Sequence, residues 1–160
     1  MNEEVALLVV GIGNEMMCDD SAGPLLIKEI EKLILENGKK NITLIDVGMT
    51  PENFTAKIRE AKANRIILVD AADFGAACGT VSIISQDKID GTNFSTHGMP
   101  LGTIIDFIKK TVGTEVILLG IQKKISAPGE SISNEVDKSV KKLALFLYNN
   151  GMMDNFPEVL

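Results

Sequence analysis

Apolar residues fall along this chain in two rhythms. Nearly continuous runs over residues 5–10, 42–47, 65–70 and 115–121 read as strands whose two faces are both covered. Between them the spacing is helical. Leu26, Ile30, Leu33 and Ile34 predict a helix over 24–37 that stops at Gly38, and Thr50 as N-cap with Pro51 at N1 opens a second. Pro100 at N1 opens a third, with Leu101, Ile104, Ile105, Ile108 and Val112 along one face. Val136, Val140, Leu143, Ala144 and Leu147 predict a last helix over 134–148, after a long loop over 122–133. Residues 80–85 alternate only partly, which suits an edge strand antiparallel to its neighbour. Strands alternating with helices predict an α/β fold on a mostly parallel sheet of about five strands. Asp46 and Asp70 are expected to end adjacent strands.

The stretch from Val9 to Gly23 joins strand, loop and helix start, the junction where open α/β sheets place their ligands. Its Gly11-Ile12-Gly13 beginning, with Asp46 after the second strand, suggests a dinucleotide site. That alternative is weakened by Met16, which stands where the fingerprint needs a third glycine. Asp19 and Asp20 repel phosphate and attract a divalent cation. Either acid also serves as a helix cap, Asp19 the better placed. For Asp46 and Asp70, position alone does not separate a functional carboxylate from one bonded to loop amides. His97, the chain's one histidine, precedes a helix start, where the dipole favours the neutral imidazole that binds metal. Asp20, Asp70 and His97 together form a set of two carboxylates and one imidazole with coordination positions left open.

Composition narrows the setting. A chain of 160 residues with 45% apolar and 24% charged residues suits one globular domain, 1–160, with a loosely held tail from Asn149. No apolar run approaches the ~20 residues that span a bilayer. The acidic start, Met1-Asn2-Glu3-Glu4, is unlike a signal peptide, so a cytoplasmic location is expected, with Cys18 and Cys78 as free thiols. A net charge of −6 disfavours nucleic acid and anionic membranes as partners, and a monomer is the expected state. Cys18 as a nucleophile needs a nearby base, and its acidic neighbours disfavour the thiolate.

Five segments, in order, resemble one family. They are Gly13-Asn14-Glu15-Met16-Met17-Cys18-Asp19-Asp20 with Ala22-Gly23-Pro24; Asp46-Val47-Gly48 with Pro51-Glu52-Asn53; Val69-Asp70-Ala71-Ala72-Asp73; His97-Gly98-Met99-Pro100-Leu101; and Leu119-Gly120-Ile121-Gln122. On these the chain resembles the nickel-iron hydrogenase maturation endopeptidases, and most closely the branch that processes the formate hydrogenlyase-type enzyme. The resemblance implies a three-layer α/β/α sandwich on a twisted, mostly parallel sheet. It also implies a protease, aspartic-type by family classification, that trims the carboxyl-terminal extension of a hydrogenase large-subunit precursor once nickel is in place. The family's metal-contacting positions fall on Asp20, Asp70 and His97, with the nickel supplied by the precursor. Its Asp-x-Gly motif falls on Asp46 and Gly48, making Asp46 the candidate catalytic residue. Val47 stands where the family usually has a small residue, and Cys18 where the branch tends to have glycine. The rival class is a nickel-sensing module that binds the precursor without cutting it.

Overall fold

The structure, a computed structural model, describes residues 6–38, 40–94, 98–124, 128–129 and 131–149. His97 and the tail beyond Asn149 lie outside the described residues. The first strand, β1 (Leu7–Ile12), is buried at all six positions. It is followed by a 3-10 turn (Cys18–Ser21) and the helix α1 (Ala22–Asn37). Next come β2 (Ile42–Gly48), a 3-10 turn (Pro51–Phe54), the short α2 (Thr55–Glu60) and β3 (Arg65–Asp73). β4 (Val81–Ile83), a 3-10 turn (Gln86–Gly91), β5 (Asn93–Phe94), α3 (Leu101–Val112), β6 (Glu115–Gln122) and α4 (Asn134–Tyr148) complete the order.

The six strands form one sheet in the order β2-β1-β3-β6-β4, with β5 pairing the end of β3. β1 runs parallel to β2 and β3, β3 parallel to β6, and β4 is the antiparallel edge strand that its partial alternation predicts. Because successive side chains on a strand alternate in direction, the sheet divides its apolar residues between two cores. Val9, Ile67, Val69 and Leu119 face Leu26 and Ile30 of α1 and Val140 and Leu147 of α4. Leu8, Val10, Ile66 and Leu68 face Ile58 of α2 and Ile104 and Ile108 of α3. The result is the α/β/α sandwich. Each of these side chains contributes roughly 1.5–3 kcal/mol by leaving water. Among the described residues no helix is long and apolar enough to cross a membrane.

Asp46 and Asp70 do not end adjacent strands, because β1 lies between β2 and β3. The reason is handedness. Parallel crossovers are right-handed, so α1 on one face carries the chain one way from β1, and α2 on the other face carries it back past β1. Other differences are local. The strand beyond the five expected, β5, has two residues and no apolar run to announce it. Thr50 makes no side-chain cap bond, and Pro51 starts a 3-10 turn rather than an α-helix. Pro100 is the N-cap of α3 rather than its N1 residue, so the helix starts one place later than expected. The run 134–148 is helical as its spacing predicts.

Candidate active site at the carboxyl ends of the first and third strands

The chain leaves β1 toward β2 and leaves β3 in the opposite direction, toward β4 and β6, so the gap between β1 and β3 is the sheet's topological switch point, where such folds hold ligands. Asp20 and Asp70 flank it. Asp70 is completely buried and lies just past the register pair Gly11 and Val69, on the same sheet face as Ile66 and Leu68. Asp20, 6% exposed, belongs to the 3-10 turn after β1, and that turn packs against β3.

Glycines make this approach possible. A Cβ at Gly23 would run into the carbonyl oxygen of Ile12, and one at Gly13 into that of Asp20. The Gly-x-Gly segment thus seats a helix start on a strand end. Its amides are already used: Gly13 N–H donates to the Gly48 carbonyl at 2.9 Å and Asn14 N–H to that of Asp20 at 2.8 Å. A phosphate cradle needs such amides free, so the geometry opposes the dinucleotide alternative.

Asp19 is not a helix cap. Fully buried, it accepts the backbone N–H of Lys124 at 2.8 Å and of Ser133 at 2.7 Å, bracing the loop before α4. Ser21, the N-cap of α1, makes no side-chain cap bond either. Cys18 has φ of 39°, a left-handed conformation that costs any side chain and favours glycine. Its thiol is buried and donates to the Ser131 carbonyl at 2.9 Å, a packing role rather than a nucleophile's. Cys18 and Cys78 are both free thiols.

Two further residues at this end of the sheet were not singled out as site residues from sequence. Lys123 follows β6, and its Nζ lies 3.1 Å from Asp20 Oδ1, with the two side chains only 12% and 8% exposed. The Lys123-Lys124 pair after an apolar run carries no sequence signal of such a contact. Glu52, within the Pro51-Glu52-Asn53 segment, has a buried Oε2 with no hydrogen-bond partner among the described residues, and its Oε1 crowds Gly98. A buried carboxylate oxygen without a partner among the described residues is uncommon. Gln122 is the opposite case. Its Oε1 accepts Phe74 N–H and Ala76 N–H at 2.9 and 3.1 Å, while its Nε2 donates to Asp73 and to the Lys123 carbonyl. That bond, with a second from Gly75 N–H, holds the Asp73 carboxyl below its ordinary pKa.

Asp46 stands apart from Asp70. It is exposed, accepts Gly48 N–H at 2.9 Å across an Asx turn, and lies on the α1 side of β2. The Lys28 ammonium on α1, bonded to Glu15, has its pKa raised by that bond and further by Asp46. Asp46 and Gly48 line a groove of about 450 Å³ with Gly13, Glu15, Pro24 and Phe54. His97 is outside the described residues. Phe94, three positions before it, pairs with Ala72, two positions past Asp70. Among the described residues no three His, Cys, Asp or Glu side chains gather as a metal site. Asp20 and Asp70 therefore make up the described part of the candidate ligand set, and their hard oxygen donors suit a divalent cation.

Known proteins share both sequence and fold with this arrangement. The family model described as hydrogenase maturation protease matches residues 24–149. A putative hydrogenase maturation protease of Methanocaldococcus jannaschii is 38% identical over 143 residues, 86% of this chain and 83% of that one. The hydrogenase 3 maturation protease of Escherichia coli K12 is 44% identical over 115 residues, 71% and 70% of the two chains. A crystal structure of a hydrogenase 3 maturation protease superposes with a TM-score of 0.84 at 34% identity, over 98% of this chain and 97% of that one. Sequence and fold agree over the same three-layer sandwich, and the chain belongs to the hydrogenase maturation protease family of peptide hydrolases.

Proposed function

We propose that this protein removes the carboxyl-terminal extension from the large-subunit precursor of a nickel-iron hydrogenase, in the cytoplasm, after nickel has been inserted. The observation that carries the reading is the pair of buried carboxylates, Asp20 and Asp70, on either side of the sheet's switch point. With His97 they are the residues that contact the nickel of the precursor, so a loaded precursor docks and an empty one does not. Nickel held there supplies polarisation of the scissile carbonyl and a more acidic water, with no serine or cysteine nucleophile required. The groove beside Asp46 and Gly48 is large enough for a few residues of extended chain. Asp46, outside the ligand set, orients that chain or the attacking water.

The test is incubation with nickel-loaded and nickel-free precursor, followed by mass spectrometry. Loss of mass at the carboxyl end of the loaded form alone supports the reading. Complex formation without cleavage indicates a nickel-sensing module instead. Asp20→Asn and His97→Ala should abolish cleavage and weaken nickel binding, whereas Asp46→Asn should slow cleavage and leave nickel binding unchanged. A fully active His97→Ala protein would overturn the ligand assignment.

A further inference from the structure

We propose that Lys123 is a resident counter-cation on Asp20 that screens the site against free divalent ions, so that metal enters only with anionic ligands of its own. The inference rests on the assignment of Asp20 as a nickel-contacting residue. Lys123 Nζ lies 3.1 Å from Asp20 Oδ1, and both side chains are largely shielded from water, where salt screening is weak.

The ammonium is mounted on a stiff support. Lys123 N–H donates to the Ala72 carbonyl on β3 at 3.0 Å, and its carbonyl accepts the Gln122 amide, whose other bonds pin the 73–76 turn. The charge therefore comes from the carboxyl end of an interior strand. Asp19, the adjacent acid, is taken up by the amides of Lys124 and Ser133. The same loop thus engages both acids of the Asp19-Asp20 pair, which would otherwise draw cations from solution.

A bare dication reaching Asp20 must displace the ammonium or sit beside it, and either is unfavourable in a poorly screened pocket. A metal already partly neutralised by anionic ligands meets less repulsion. Lys123 then makes the site discriminate between metal in a precursor and metal in solution, a specificity that the carboxylates alone lack.

The experiment is calorimetric titration of the metal-free full chain with nickel chloride alone. Lys123→Gln, which keeps a donor for Asp20, should bind nickel roughly ten- to a hundredfold tighter than wild type, the scale of one nearby charge. Lys123→Arg should stay within about threefold of wild type, and Lys123→Met serves if circular dichroism shows that the glutamine variant misfolds. The gain should vanish in the Lys123→Gln, Asp20→Asn double variant. No gain in the neutral variants, or an equal gain in Lys123→Arg, overturns the inference. Asp20→Asn alone separates the two levels. If it leaves nickel binding unchanged the ligand assignment fails, and if it abolishes binding while Lys123→Gln gains nothing, only the role of Lys123 fails.

Discussion

Replacing Asp19 by asparagine distinguishes a helix cap from the bridge that the structure shows. In the folded chain one buried carboxylate accepts two backbone amides, from Lys124 at 2.8 Å and Ser133 at 2.7 Å. Hydrogen bonds to a charged acceptor contribute roughly 1.5–3 kcal/mol each. Asparagine keeps one carbonyl oxygen for one amide and turns an NH₂ group toward the other, so one bond weakens and the second becomes a donor facing a donor. The expected loss is about 3 kcal/mol, against about 1 kcal/mol for a lost helix cap. At roughly 2–4 °C per kcal/mol for a domain of this size, Tm should fall by about 6–12 °C. Thermal unfolding followed by circular dichroism, backed by urea denaturation at constant m, measures this. Because the bridged loop leads to Lys123, nickel affinity should change as well. A Tm within about 3 °C of wild type, with unchanged nickel binding, would refute the bridge as an energetic element.

Gly23→Ala places a methyl group against the Ile12 carbonyl, a backbone atom that cannot swing aside. A loss of about 3 kcal/mol is expected in urea unfolding, at the upper end for overpacking, and an unaltered midpoint would contradict the close approach of α1 to β1. The Asp73 carboxyl is held below its ordinary pKa, first by the Gln122 bond and then by the Gly75 amide. A lowered folded-state pKa contributes stability that is present above the unfolded value and lost as pH falls through the folded one. Asp73→Asn should therefore lower stability at neutral pH and converge on wild type in acid, flattening the limb below about pH 4; an equal loss at both pH values would count against it.

The layered α/β architecture was legible in the sequence because burial leaves a local trace. A strand covered on both faces must be apolar at every position, as Leu7–Ile12 is, and a helix on a sheet must repeat near 3.6, as Val136, Val140, Leu143 and Leu147 do. Asp46 and Asp70 stood out because they interrupt or end such runs, and Asp20 because it stands with Asp19 in the loop just before a helix-patterned run. What the sequence left open depends on which distant segments meet. The order that inserts β1 between β2 and β3 follows from the faces on which α1 and α2 land, and it separates Asp46 from Asp70. The two-residue β5 exists only because the end of β3 offers a partner. Asp19 has the local look of a cap, yet its amides come from more than 100 positions away in sequence. Lys123 faces Asp20 across a similar separation, and nothing near either residue encodes the other. Local spacing fixes period and burial; pairing of charges and amides across the fold is decided by tertiary packing, because a hydrogen bond or ion pair needs two groups at one point in space and only the folded chain brings them there.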